Sequence, residues 1–198
     1  MVHEELYAGP PIDDEDTLNR LPDELVAVLR RKNGFIQYGG GLHVRGACTS
    51  PDWHSLRAAW AGPSSFHVLY PVVAEGDVPF AEDCMGDQFL LREGRVVRLA
   101  AETGDLEKLD LSLDEFFDHA ELDPVEFLSM HPLLQFRSDG CLFVPGRLLA
   151  AWPPFFVKSE APVNLRSISS LERRAFLADI ARQVHDLPDR AYIKFEVR

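Results

Sequence analysis

The residues whose chemistry is easiest to see lie in one stretch, "FAEDCMGDQFLL" (80–91), where Glu82, Asp83 and Asp87 stand beside Cys84. Three carboxylates this close offer hard oxygen ligands to a divalent cation. Further ligands cannot be identified nearby, and the spacing matches no calcium loop. Acids at the mouth of a strand more often accept hydrogen bonds from the amides of a turn. That reading assigns Asp83, Gly86 and Asp87 to a structural turn. Acidic neighbours also discourage the thiolate that a nucleophilic Cys84 would need.

Other chemical candidates are weaker. Gly39-Gly40-Gly41 is followed by His43 and Val44, not by the lysine and hydroxyl residue of a phosphate loop, so close backbone approach explains it better. The histidines (3, 43, 54, 67, 119, 131, 185) fall at no metal-ligand spacing, and no G-x-S-x-G elbow marks a nucleophile. A serine, histidine and acid assembled in space stays open, because sequence alone does not exclude it. Arg166, Arg173, Arg174 and Arg182 read as a solvated face of a last helix, some of them pairing with the acidic half of the chain. Trp53, Trp60, Trp152, Phe155 and Phe156 read as core plugs, with contact anchors as the alternative. The expectation is therefore no catalytic residue, no metal and no cofactor.

The elements that must position these residues follow from periodicity. "LPDELVAVLRRKNG" (21–34) predicts a helix, with Leu21, Leu25, Val28 and Leu29 on one stripe, acids at its start and bases at its end. "FIQYGGGLHVRGA" predicts short strands around a glycine turn. Ser50-Pro51-Asp52 predicts a second helix through Trp60, and "HVLYPVV" (67–73) an edge strand broken by Pro71. Asp87–Leu91 and Arg95–Leu99 have hairpin spacing across Glu93-Gly94. Ser112 and Glu115 predict a capping box on a helix that buries Leu113, Phe116, Phe117 and Ala120. A short helical turn starts at Asp123-Pro124, and a turn at Asp139-Gly140 precedes a strand at 141–144. A helix from Ser170, capped by Ser169 and Glu172, is followed by an alternating strand over 190–198.

Composition limits the functional classes. The 198 residues are 46% hydrophobic, which suits a globular α+β protein with a sizeable core. The acidic N-terminus lacks a signal pattern and no apolar run is long enough to span a bilayer, so the expected setting is cytoplasmic, without membrane contact. Three scattered cysteines favour reduced thiols. The net charge of −12 argues against nucleic acid as a partner. Residues 1–126 hold 25 Asp and Glu against 10 Lys and Arg, whereas residues 127–198 hold 7 against 10. An acidic face of this kind can steer a basic protein. Its candidate contact residues are Glu102, Asp105, Glu107, Asp110, Asp114, Glu115 and Asp118.

Three segments, in order, resemble the SUKH superfamily: "LPDELVAVLRRKNG", "FAEDCMGDQFLL" with its Asp83, Gly86 and Asp87, and "LSLDEFFDHA". The resemblance covers about residues 20–125 and implies an α+β fold with a largely antiparallel sheet and no common catalytic residues. It also implies kinship with a fungal regulator of cell-wall synthesis and with bacterial immunity proteins that neutralise polymorphic toxins. The expected organisation is a loosely ordered acidic segment (1–19), a SUKH-like core (20–129) and a strand-helix-strand extension packed on it (130–198). The expected function is non-enzymatic protein binding, with a basic toxin such as a nuclease or deaminase as partner. The alternatives are a regulatory or scaffolding domain with an endogenous protein partner and, from another class, a small hydrolase or ligand-binding enzyme.

Overall fold

The structure is a computed structural model that describes residues 4–158, 160 and 162–184. Among them, seven strands form one antiparallel sheet in chain order: β1 (Tyr7–Ala8), β2 (Phe35–Gln37), β3 (Leu42–Val44), β4 (Val78–Asp83), β5 (Gln88–Arg92), β6 (Arg95–Ala100) and β7 (Asp105–Leu111). The helices are α1 (Glu15–Leu18), α2 (Asp23–Arg31), α3 (Leu56–Ala61), α4 (Phe66–Leu69), α5 (Leu113–Leu122), α6 (Pro124–Phe127), α7 (His131–Ser138) and α8 (Ser170–Val184). A second, two-stranded sheet pairs β8 (Arg147–Trp152) with β9 (Asn164–Ser169). This is an α+β fold built on a largely antiparallel sheet flanked by helices. No described helix is long and apolar enough to cross a membrane.

Strand alternation sends successive side chains to opposite faces of the sheet. One face carries Leu42, Val44, Ala81, Phe89 and Leu91, and packs with Leu25, Leu29, Phe116 and Ala120 of α2 and α5 into the larger apolar core. Phe116 lies at its centre, 4.7 Å from the Phe89 ring and 5.3 Å from Phe80 between centroids. The other face presents Leu90, Val97 and Leu99 to Phe66, Tyr70, Leu177 and Ala181, so α4 and α8 cover it. Local signals account for most of these elements. Ser112 Oγ accepts from the Glu115 amide at 3.3 Å while Glu115 Oε2 accepts from the Ser112 amide at 2.8 Å, which starts α5. Glu93 and Gly94 both take positive φ, the geometry of a two-residue hairpin, and Arg92 pairs with Arg95 across it.

Several expectations change. The acid-rich segment before residue 20 is packed, not loose: β1 pairs with β2, and Asp14 is buried. Its carboxylate caps α1 by accepting from the Thr17 amide (3.1 Å) and hydroxyl (2.6 Å), and it pairs with Arg57. Asn33 holds the same segment, donating to the Pro10 carbonyl at 2.9 Å. Residues 66–69 are helical, because Ser65 and the preceding turn start a helix where the apolar run suggested an edge strand. Ser55, not Ser50, caps the helix that follows Pro51. Residues 141–144 form no strand; Phe143 instead packs against Gly40, where an added Cβ would stand 2.4 Å from the ring. The extension from residue 130 runs helix, strand, strand, helix (α7, β8, β9, α8) as far as it is described, and the strand expected over 190–198 lies outside the described residues.

Replacing the Phe116 ring tests this core. Phe116→Ala should destabilise the protein by about 3–5 kcal/mol in urea unfolding, through lost burial and the cavity left behind.

Candidate functional site

Glu82, Asp83 and Asp87 do not converge on a metal. Adjacent strand residues face opposite ways, so Glu82 and Asp83 enter different environments. Among the described residues, no group of three or more His, Cys, Asp or Glu side chains is placed to hold a metal ion.

Glu82 sits on the α8-covered face and is 1% exposed. Its cross-strand neighbours are His43 on β3 and Gln88 on β5. Arg45 Nη2 donates to Glu82 Oε2 at 2.9 Å, and Arg174 of α8 donates to both carboxylate oxygens, at 3.0 and 2.6 Å. Arg45 also donates to Gln88 Oε1 (2.6 Å) and the Pro79 carbonyl (2.8 Å), and its guanidinium lies 5.3 Å from the Phe66 ring. Burial alone would raise the Glu82 carboxyl, but Arg174, Arg45 and His43 outweigh it and hold the group well below the usual carboxylate range. Arg45, wholly buried, is pushed down to about 9 by desolvation.

Two histidines extend this network. His43 Nδ1 lies 2.9 Å from Glu82 Oε1, His43 Nε2 lies 2.9 Å from His54 Nδ1, and His54 Nε2 lies 3.2 Å from the Asn33 carbonyl. Three donated hydrogen bonds would need three protons, and two neutral imidazoles carry two. With the proton of His43 on Nδ1 and that of His54 on its own Nδ1, the two shorter contacts are satisfied and the longest goes without. Burial, then the neighbouring His43, pushes His54 down to about 3, and burial lowers His43 against the pull of Glu82. Both rings are therefore neutral supports of the carboxylate.

Asp83 faces the other way. Its Oδ1 accepts from the amides of Met85 (2.8 Å), Gly86 (2.9 Å) and Asp87 (3.1 Å), closing the turn between β4 and β5, with Gly86 at φ 103°. Asp87 Oδ2 pairs with Arg98 Nη2 at 2.7 Å, and its Oδ1 accepts from the Ala101 amide at 2.9 Å. The extension docks on this turn: the Leu149 amide donates to the Cys84 carbonyl at 2.8 Å. Beside the turn opens a cleft of about 550 Å³, lined by Asp83, Asp87, Arg98, Glu102, Glu126 and Phe155 among others.

The seven acids proposed for partner contact separate into two groups. Asp105, Glu107 and Asp110 are exposed on β7, an edge strand, and Asp114 and Asp118 are exposed on α5. Glu115 is exposed but tied into the capping box and 3.6 Å from Arg95. Glu102 leaves the open face altogether: it is half-buried, pairs with Arg173 at 3.0 Å and lines the cleft. Arg173 and Arg174 are correspondingly buried against Glu102 and Glu82, the expected pairing with the acidic half in place of a solvated face, whereas Arg182 is exposed and Arg166 lies on β9. Trp60 is a core plug, whereas Trp152 and Phe155 are half exposed. Sequence reasoning missed Glu82, Arg45, His43 and His54 as one network. The available signal was an acid inside the apolar strand "VPFAE", paired with an arginine two residues beyond a histidine.

Removing the shared carboxylate should leave two buried arginines without their counterion. Glu82→Gln is expected to cost about 3–5 kcal/mol in urea unfolding. The histidines set a pH dependence whose sign follows from their lowered folded-state pKa. Below the ordinary 6.5 the unfolded chain binds a proton that folded His54 refuses until about 3, so stability falls as pH falls through this window. The expected slope is about 1.4 kcal/mol per pH unit for each such histidine, and His54→Asn should reduce it. Compared with known proteins, the chain matches no family model, no curated protein and no solved structure.

Proposed function

We propose that this chain is a non-enzymatic protein-binding module whose partner is a basic protein. The observation that carries the reading is the run of exposed carboxylates along β7 and α5. Asp105 and Glu107 pair with Ala100 and Arg98 of β6, which places them on the sheet face that α5 covers, and Asp114 and Asp118 are exposed on that helix. Acids spaced along an edge strand keep other strands from pairing there, and they present a negative surface to a cationic partner. The resemblance of three segments to the SUKH superfamily narrows the proposal. As in its immunity proteins, the partner would be a toxin, and a nuclease or deaminase with a basic substrate site suits an acidic docking surface. A cytoplasmic setting belongs to the same proposal.

The test is affinity capture with the wild type and with an Asp105→Lys, Asp114→Lys, Asp118→Lys variant whose unfolding curve matches it. A basic toxin-like protein retained by the wild type should be lost from the variant, and its association should slow by about tenfold at low salt. An identical set of retained proteins on both columns would refute the acidic face as the docking site.

A further inference from the structure

The cleft beside the β4–β5 turn is an independent feature. None of the three positions reversed in the docking test lines it. Four carboxylates reach it, from Asp83, Asp87, Glu102 and Glu126, against the single lining arginine Arg98. Arg98 is already committed: it donates to Asp87 Oδ2 through Nε (3.2 Å) and Nη2 (2.7 Å), and to Ser129 Oγ at 3.3 Å. Glu102 is matched by Arg173, and Glu126 lies 3.4 Å from His131 Nε2.

Asp83 is the exception. It is 1% exposed, and while its Oδ1 accepts three turn amides, its Oδ2 accepts no hydrogen bond from the described residues. Arg98 Nη2, shared with Asp87, makes an ion pair with that oxygen at 3.5 Å but donates no hydrogen bond to it. A buried carboxylate oxygen without a donor is costly, and here it belongs to a residue of the cleft wall. Phe155, half exposed, and Phe156 supply an apolar side to the same space.

We infer that the cleft binds a guanidinium or ammonium group carried on an apolar stem, with the cation against Asp83 Oδ2 and the stem along Phe155 and Phe156. Such a group supplies the donors that Oδ2 lacks, and aromatic faces attract cations as well as hydrocarbon. An anion is disfavoured, because the cation that would receive it is already neutralised by Asp87. Burial, then the adjacent Asp87, pushes the Asp83 carboxyl up to about 8 despite Arg98, so a further cation at this oxygen would lower it again.

The same head group occurs on free amines and on the arginine side chain of a docking protein, and the experiment separates the two. Chemical shifts of the full chain are followed on titration with butylguanidinium, with its neutral analogue butylurea, with agmatine and with a short blocked arginine peptide. Butylguanidinium should shift the amides of 83–87 and 98–103, and butylurea should not. Agmatine binding more tightly than the peptide assigns the cleft to a small molecule; the reverse order assigns it to a docked side chain. Asp83→Asn keeps an oxygen for the three turn amides but cannot ionise, and at pH 9, where the wild-type carboxyl is charged, it should weaken butylguanidinium by about tenfold. Should that variant fail to fold, Glu126→Gln at the exposed rim carries the test, with an expected loss of about threefold. Equal response to the urea and the guanidinium, no response to either, or unchanged binding in a folded Asp83→Asn variant would overturn the inference.

Discussion

The interior of this protein depends on one carboxylate. Arg45 and Arg174 are both buried, and Glu82 is the acid that both of them contact. An unpaired guanidinium in that setting would oppose folding by several kcal/mol, so Glu82 permits α8 to lie against the sheet at all. Its arrangement uses the pleat directly: His43, Glu82 and Gln88 are adjacent across three strands, and Arg45, two residues beyond His43, lies on the same side. The remaining polar atoms are met by carbonyls, from Pro79, Trp53 and Gly86, with Arg45 Nε a donor lacking a described partner.

The residue next to Glu82 serves the opposite side of the sheet. Asp83 turns the chain into β5, and the backbone at Cys84 receives β8. An added Cβ at Gly86 would stand 2.8 Å from Leu177 of α8, so this glycine provides both the positive φ and the close approach of the extension. The turn is thus where the N-terminal sheet, the second sheet and the last helix meet, and the cleft opens beside that junction. Neighbouring acids in sequence consequently do unrelated work, one neutralising buried arginines and one closing the turn beside the cleft, where it shares Arg98 with Asp87.

The charged surface follows a simpler logic. The edge strand β7 and helix α5 share a face, and their acids are exposed because none of the described elements packs over them. Glu102, at the start of the same acidic run, is removed from the surface only because Arg173 arrives from α8 to pair with it. The −15 balance of residues 1–126 is therefore not all surface charge: Asp14, Asp77, Glu82 and Asp83 are buried, three of them against arginines within 3 Å.

Local signals by themselves determined the helix over 23–31, the capping box at Ser112, the hairpin at Glu93-Gly94 and the α+β class, because periodicity, capping and turn conformation are settled within a few residues. The glycine run at 39–41 was legible as a place of close approach, though not what approaches it. Other local readings failed where two conformations compete over short spans, as at 66–69, where an apolar run suits helix and strand equally. Only the tertiary structure decided which charges are buried. Glu82 and Arg174 stand 92 residues apart, and Arg173 and Glu102 stand 71 apart. An arginine on a helix looks the same in sequence whether it meets water or a carboxylate, since burial and pairing are properties of the packed chain and not of the residue.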